Sequence, residues 1–311
     1  MRILVTGAGG FIGRHLVDAL CAHGHTVVCT VRRQDASLPR GVAALVADLT
    51  APDIHAHLLA SVRSIDAVYH LAALLPGGNT TAHAADAYLL ANGVTTARIL
   101  QAALSWGTQA FVYASSIGVI GRPVQTPITE AHPLQPLHPY HVGKLCGELA
   151  CEQVRLAQGL RVTSLRFTSA YGPGMRQDSV LPLFIRKALA SQDLTWYGSG
   201  ERTQNFVHTA DIVQALLKAL DTKFPGVYNV GGPESISMRD LAQLVARLTP
   251  GYHGRVCPAG IPDAQDDFRW EVSCRKAQDY LGYRAGVSIE KGVGECMASL
   301  VATPHRGRMA D

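Results

Sequence analysis

Two residues one helical turn apart have the types and the spacing of an acid–base pair. Tyr140 and Lys144 stand four positions apart near the start of a pattern that predicts a helix, so they share one helix face. A phenol loses its proton at about pH 10, and a nearby ammonium favours the phenolate and lowers that pKa. Lys144 would therefore make Tyr140 usable as an acid or a base near neutral pH.

Two serines at a predicted strand end complete the candidate reacting group. Ser115 and Ser116 end an apolar run that begins at Ala110. In a parallel sheet the carboxyl ends of the strands line the ligand crevice. A serine at this end is therefore predicted to hydrogen-bond a substrate oxygen beside Tyr140.

The helix that carries the pair is predicted over Pro139–Gln158, with Pro139 in its first turn. The apolar residues on the side opposite the pair are Val142, Leu145, Cys146 and Leu149. An apolar helix side usually faces the core. We therefore expect that side to pack and the side with Tyr140 and Lys144 to line a cleft.

Three glycines near the N-terminus predict a phosphate-binding turn. Gly7, Gly10 and Gly13 follow an apolar strand pattern over 3–5 and overlap the start of a helix pattern over 11–22. The first permits a tight turn, the second a close approach of a pyrophosphate, and the third close packing of helix on strand. The helix N-terminus adds free N–H groups and the positive end of a dipole.

The end of the second predicted strand bears on the choice of cofactor. It carries Arg32 and Arg33 and no carboxylate that would bind ribose hydroxyls. Guanidinium groups bind a 2′-phosphate in a bidentate way, whereas a carboxylate repels it. The pair therefore favours NADP(H) over NAD(H). Asp48, after the third strand pattern, is predicted to approach the adenine.

Short apolar runs alternate with helical patterns through the first half of the chain. The predicted strands of that half are 3–5, 27–31, 43–47, 67–71, 110–113 and 162–167. Such alternation predicts an α/β fold, a Rossmann doubly wound parallel sheet covered by helices on both faces. We expect this domain over residues 1–170, with a returning segment at about 204–231, and a smaller α/β C-terminal substrate lobe over 171–203 and 232–311.

Composition excludes several classes of protein. The 311 residues are 47% hydrophobic and 17% charged, with a net charge of +4 spread along the chain, so neither disorder nor a nucleic-acid footprint is indicated. No apolar stretch is long enough to span a membrane, and no secretion signal is recognisable. The seven cysteines contain no C-x-x-C spacing, so we expect reduced thiols, no metal site and a cytoplasmic protein.

Taken together, the motifs resemble extended short-chain dehydrogenases/reductases of the NAD-dependent epimerase/dehydratase family. The matching segments, in the family's order, are 6–13, 69–73, Asn92, 114–121, 140–144, 166–174, 205–211 and 228–232. The resemblance implies a dinucleotide-dependent enzyme. It also implies a small-molecule substrate and a homodimer formed through the helix that bears Tyr140 and Lys144.

The resemblance assigns roles to individual residues. Tyr140 would be the catalytic acid/base, Lys144 would bind the nicotinamide ribose and tune Tyr140, and Ser116 would orient the reacting oxygen, with Ser115 as the alternative. The implied cofactor contacts are Gly7, Gly10, Phe11, Ile12, Gly13, Arg32, Arg33, Asp48, Leu49, Leu71, Ala72, Ala73, Asn92, Tyr140 and Lys144. Asn92 would open a helix, and His70 would lie beside the cofactor. His138 and His141 are interpreted as surface or loop residues.

The substrate side departs from the pattern of nucleotide-sugar enzymes. Ser169 stands where an asparagine is common, and Gln204 stands where an arginine is common, with Arg202 two residues upstream. Ser115, Ser116, Ser169, Arg202 and Gln204 are the candidate substrate contacts. Loss of the arginine weakens the case for a diphosphate handle, because an arginine would bind it in a bidentate way.

Three functions stay open at this point. An epimerase acting on a sugar or sugar nucleotide is favoured, an NADP(H)-dependent ketone/aldehyde reductase or alcohol dehydrogenase is the alternative, and a non-enzymatic dinucleotide-binding sensor is the third. Dehydration would need a further acid after Ser116, and Ile117 and Gly118 are not acids. The Gly- and Pro-containing loop 75–86 is a candidate lid.

Overall fold

A seven-stranded parallel sheet forms the centre of the protein in its computed structural model, which describes residues 1–33, 38–39, 41–77 and 85–302. The strand order is β10-β6-β5-β4-β1-β2-β3. The strands are β1 Arg2–Thr6, β2 Thr26–Val31, β3 Ala43–Val46, β4 Ala67–His70, β5 Ala110–Ser116, β6 Arg161–Phe167 and β10 Val227–Val230. Most of the candidate lid, residues 78–84, lies outside the described residues.

Helices cover both faces of this sheet, which confirms the predicted doubly wound fold class. One face packs on α1 Phe11–Ala22 and α7 Thr209–Leu220. The other face packs on α2 Ile54–Ser61, α4 Thr95–Trp106 and α5 Pro139–Gln158. Strands buried on both faces are nearly continuous apolar runs, and this is why the strand patterns of the first half were legible in the sequence.

A second core lies beyond the sixth strand of the chain. It is built from three short strands in one sheet, two in another, and three helices. These are β7 Ser169–Tyr171, β8 Leu194–Trp196, β9 Thr203–His208, β11 Ser235–Ser237, β12 Val256–Pro258, α6 Val180–Leu189, α8 Met238–Leu248 and α10 Ile289–Ala302. The apolar sides of α6, α8 and α10 meet in this core.

Later parts of the chain return to the large sheet. The edge strand β10 pairs with β6, and α7 packs against α1. The helix α9 Arg275–Leu281 also contributes buried residues to the core on that face. The exact boundaries expected for the two domains stay a prediction.

The buried side of α5 differs from the one expected from the sequence, although Leu145, as expected, packs partly on an apolar cluster. Lys144 and Glu148 are buried, whereas Leu149 is 58% exposed and Cys146 is exposed. The cause is Gly147, where a Cβ would lie only 2.4 Å from the hydroxyl of Tyr113, so only glycine lets the helix lie this close to the sheet. Close approach of the backbone, not apolar side chains, therefore determines which side of α5 packs.

A buried ion pair holds α5 on the sheet. The Glu148 carboxylate accepts hydrogen bonds from Arg166 Nε of β6 at 3.1 Å and from Ser115 Oγ of β5 at 2.8 Å. Both charged side chains are at most 4% exposed, and Arg166 Nη1 also donates to the Glu130 carbonyl at 3.2 Å. A buried charge pair is stable only when its remaining hydrogen-bonding groups are satisfied, as they are here.

Replacing Glu148→Gln is expected to lower the free energy of unfolding by about 3 kcal/mol, because it leaves the Arg166 charge buried without a counter-charge. The matched control is Glu152→Gln, one turn later, which breaks a partly exposed pair with Arg155 and should cost about 0.5 kcal/mol. Denaturant unfolding of the two variants measures both values. Equal losses would contradict a structural role for the buried pair.

Candidate active site

Lys144 is anchored at the carboxyl end of β5. Its Nζ donates to the Ala114 carbonyl at 2.7 Å and lies 5.0 Å from the centre of the Tyr113 ring. The residue is 2% exposed, and burial lowers the pKa of its ammonium to about 7. The position of Lys144 on α5 is therefore tied directly to the strand that ends in Ser115 and Ser116.

Tyr140 lies one turn before Lys144 at the start of α5. His138 caps this helix, because its Nδ1 accepts a hydrogen bond from the Tyr140 N–H at 3.0 Å. The Tyr140 ring packs edge-to-face on Tyr88, with centroids 6.3 Å apart, and on His141, with centroids 5.0 Å apart. The phenol is thus held at the helix N-terminus, between two other aromatic rings.

The pKa of Tyr140 differs from the sequence-based expectation. Burial raises this pKa, and the charge of Arg176 lowers it only in part. Lys144 does not lower this pKa as expected, because its ammonium is turned to the Ala114 carbonyl and is itself disfavoured by burial. Tyr140 is therefore a neutral phenol near pH 7.

The two serines at the end of β5 point in different directions, as successive residues of a strand do. Ser115 is buried and donates to Glu148, on the side of the sheet that carries α5. Ser116 is half-buried and its Oγ accepts from the Gly118 N–H at 3.2 Å, which caps a 3-10 turn over Ile117–Ile120. Ser116 is thus the more accessible of the two predicted substrate contacts.

The glycine turn forms a tight cradle between β1 and α1. A Cβ on Gly7, whose φ is +71°, would lie 2.7 Å from the Ala72 backbone nitrogen, and a Cβ on Gly13 would lie 2.2 Å from the Gly7 carbonyl oxygen. No side chain caps α1, which starts at Phe11 and Ile12, so first-turn N–H groups remain for an anionic ligand. The residues present fit a dinucleotide pyrophosphate.

The segment after β4 completes the wall of this cradle. Leu71, Ala72 and Ala73 are half-buried there, and the Ala72 N–H donates to Thr6 Oγ1 at 3.2 Å. His70 Nδ1 bonds the same hydroxyl at 2.7 Å. Burial lowers the pKa of His70 to about 3, so it is a neutral, fully buried link between β1 and β4.

Asn92 does not open a helix, contrary to the expectation. The helical segment begins with α3 at Ala85–Tyr88, and Asn92 lies inside a π-helical turn, Leu89–Val94, that leads into α4. Its Oδ1 accepts from the Leu74 N–H at 2.8 Å, and its Nδ2 donates to the Leu74 carbonyl at 3.0 Å. Asn92 therefore fixes the chain that continues from the cofactor wall.

The residues predicted to bind the adenosine half of the dinucleotide follow β2 and β3, at one lateral edge of the sheet. Arg32 and Arg33 are exposed directly after β2. Asp48 accepts from the Thr50 N–H and hydroxyl; these bonds, and to a smaller extent the charge of Arg32, hold the pKa of that carboxyl below its usual value. Leu49, next to Asp48, is half-buried.

The predicted substrate residues of the second core are bonded to other parts of the chain. Gln204 Nε2 donates to Ser169 Oγ. Arg202 forms an ion pair with Asp263 at 2.7 Å. Arg202, two residues upstream of Gln204 in the sequence, is therefore already paired with a carboxylate.

Two residues of the site were missed or misplaced in the sequence. Tyr88 is buried against Tyr140, and His141 is half-buried beside it rather than in a surface loop. Arg176 also lies close enough to Tyr140 to influence its pKa. His138 is also no surface residue, since it caps α5. The only local signal was the position of His138 and His141 on either side of Pro139 and Tyr140, at a helix start.

The described residues contain neither a metal-binding cluster nor a membrane-spanning helix. No group of three or more His, Cys, Asp or Glu side chains is arranged to hold a metal ion there. Within the same ranges, no helix has the length and apolar character needed to cross a membrane.

Comparisons with known proteins give a consistent result. The model of the NAD dependent epimerase/dehydratase family matches residues 3–231. An uncharacterized UDP-glucose epimerase of Bacillus subtilis is 28% identical over 96% of this chain and 98% of its own. A UDP-N-acetyl-alpha-D-glucosaminuronate decarboxylase of Bacillus cytotoxicus is 33% identical over 94% of this chain and 96% of its own.

Solved structures agree with these relatives. UDP-glucose 4-epimerase of Thermotoga maritima with UDP-glucose has a TM-score of 0.86 at 25% identity, covering 97% of this chain and 99% of that chain. UDP-glucuronic acid 4-epimerase of Bacillus cereus, in complex with UDP-glucuronic acid and NAD, has a TM-score of 0.84 at 27% identity with the same coverage.

Proposed function

The chain belongs to the NAD-dependent epimerase/dehydratase family, and from this premise we propose that it epimerises a hydroxyl-bearing carbon of a UDP-sugar. Hydride transfer at such a carbon of a sugar or sugar nucleotide is the chemistry of its relatives. The observation that carries the proposal is the anchoring of Lys144 on the Ala114 carbonyl. This contact brings Tyr140 to the same sheet edge as Ser116 and the glycine turn.

A nicotinamide dinucleotide fits the cradle formed by Gly7, Gly13 and the N-terminus of α1. When bound, it supplies the hydride acceptor and donor of the reaction. Phe11, Ile12 and the wall 71–73 would hold its pyrophosphate half, and Lys144 and Tyr140 would lie toward its other half. This assignment of contacts is supported by the close backbone packing at Gly7 and Gly13 and by the uncapped N-terminus of α1.

Tyr140 moves the proton in the proposed reaction. Its phenolate takes the proton of the substrate hydroxyl as that carbon is oxidised and returns it when the carbonyl is reduced from the other face. Ser116 Oγ orients the same oxygen. The buried Lys144 ammonium, with a pKa near neutrality, stabilises the phenolate once the substrate excludes water from the crevice.

The residues after Ser116 favour epimerisation over dehydration. Elimination of water needs an acid that protonates the leaving hydroxyl. Ile117, Val119 and Ile120 are buried apolar residues, and Gly118 has no side chain. The crevice beside Ser116 therefore carries no carboxylate on this turn.

A reductase acting on a substrate without a nucleotide is the second candidate. The hydrogen bond between Gln204 and Ser169 and the ion pair of Arg202 with Asp263 favour it, because Gln204 carries no charge and the Arg202 guanidinium is already paired with a carboxylate. Purified protein separates the two candidates. Retained dinucleotide supports an epimerase, which regenerates its cofactor in place, whereas empty protein that binds NADPH tightly supports the reductase.

Tyr140→Phe is expected to lower the turnover of UDP-glucose to its epimer by about a thousandfold, because it removes the proton-transfer group. Its affinity for the dinucleotide should stay close to that of the wild type. Tyr197→Phe, at an exposed position, is the control and should keep full turnover. A fully active Tyr140→Phe enzyme would end the mechanistic assignment.

We further propose that Arg32 and Arg33 select NADP(H). Replacing both by alanine should raise the dissociation constant of NADPH about tenfold, because charge-assisted hydrogen bonds to a 2′-phosphate are lost, and should leave that of NADH unchanged. Arg63→Ala, an exposed arginine elsewhere, is the control for net charge. Fluorescence titration measures both constants, and equal losses for the two dinucleotides would refute the proposal.

A homodimer is also part of the proposal, supported by exposed apolar residues on α5. Val142, Cys146, Leu149 and Leu156 follow one another at helical spacing, and Leu149 and Leu156 are 58% and 69% exposed. The neighbouring π-helical turn adds Val94, which is 45% exposed. A continuous apolar strip on a helix is typical of an interface between copies.

A cytoplasmic location is proposed as well, supported by seven free cysteines.

Leu149→Glu should convert the dimer into a monomer, because it places a charge in the apolar strip. Leu183→Glu, on the exposed side of α6, should leave the dimer intact. Sedimentation at one protein concentration distinguishes the species. A monomeric wild type, or a dimer that survives Leu149→Glu, would contradict this interface.

A further inference from the structure

His141 is an imidazole without a hydrogen-bond partner inside the candidate active site. Its ring lies 5.0 Å from that of Tyr140 and 6.1 Å from that of His138, measured between centroids. Within the described part of the chain, neither ring nitrogen of His141 is hydrogen-bonded. By contrast, the rings of His70 and His138 each have such a partner.

The tip of this ring fills the space beside Gly118. A Cβ built on Gly118 would lie 2.2 Å from His141 Nε2. Gly118 also donates its N–H to Ser116 Oγ, so this space adjoins the predicted substrate-orienting hydroxyl. The imidazole therefore occupies the volume that a side chain at position 118 would need.

The neighbouring residues of the 3-10 turn are apolar. The 3-10 turn contributes Ile117 and Val119, both buried in an apolar cluster. Burial, together with the charges of His138 and Lys144, lowers the pKa of His141 to about 4. Near pH 7 the ring is therefore neutral, with one N–H donor and one nitrogen acceptor.

A neutral imidazole with a free donor and a free acceptor matches a hydroxyl, which also donates and accepts. We propose that His141 is a substrate-binding residue that hydrogen-bonds a sugar hydroxyl next to the reacting carbon. By filling the space beside Gly118, the ring is held next to the Ser116 hydroxyl. This inference rests on the proposed sugar substrate.

Calorimetric titration with UDP-glucose and with UDP tests the contact, because UDP lacks the glucosyl group. His141→Ala should weaken UDP-glucose about fivefold, the loss of one hydrogen bond to a neutral group, and leave UDP unchanged. His141→Gln keeps a donor and an acceptor and should recover most of the affinity. His57→Gln, an exposed histidine on α2, is the control and should change neither ligand.

Gly118→Ala tests the packing step independently. Its Cβ must displace the imidazole, so the variant should lose UDP-glucose affinity to a similar extent as His141→Ala. In the His141→Ala background the same substitution should cost little more, since the space is then empty. If the loss of UDP-glucose affinity in the double variant equals the sum of the two single losses, the two positions act separately. That result would overturn the packing step.

The remaining outcomes are distinguishable. Wild-type affinity of His141→Ala for UDP-glucose, or an equal loss for UDP, would overturn the contact while leaving the proposed function intact. A wild-type protein that binds UDP but gains nothing from the sugar would also overturn it. A wild-type protein that binds neither ligand would overturn the proposed function, and this inference with it.

Discussion

The close approach of α5 to the sheet is the constraint on which the site depends. Gly147 lets the helix come against Tyr113, the Glu148–Arg166 pair holds it there, and Lys144 ends on the Ala114 carbonyl. These contacts lie at successive turns of one helix face. Because Tyr140 is on the turn before Lys144, its hydroxyl is carried to the carboxyl edge of the sheet, where the glycine cradle also opens.

Burial disfavours the charged forms of both titratable groups at this edge of the sheet. Burial raises the pKa of the Tyr140 phenol and lowers the pKa of the Lys144 ammonium, so each charged form is disfavoured alone. Each charge would stabilise the other if the two groups came together around a substrate oxygen. His70 and His141, both neutral, add hydrogen-bonding groups without adding charge.

Much of the fold could be predicted from the sequence, because burial and helix-end residues leave recognisable patterns. The large sheet was predicted because its central strands are buried on both faces, and the start of α5 was predicted because Pro139 marks its first turn. The short strands of the second core were mostly missed, because three residues carry no periodic pattern. The packed face of α5 was misassigned, because a glycine that permits close approach leaves no hydrophobic signal. His141 was missed since its environment comes from Gly118, which is distant in sequence.

The central claim is that Tyr140 and Lys144 face the reactive end of a dinucleotide whose pyrophosphate rests on the glycine turn. The most direct measurement is a crystal structure of the protein grown with NADP⁺. The account predicts the pyrophosphate at the N-terminus of α1 and the nicotinamide ring beside Tyr140 and Ser116, with Lys144 on its ribose. A ring bound elsewhere, or a Tyr140 hydroxyl still packed away from it, would contradict the account.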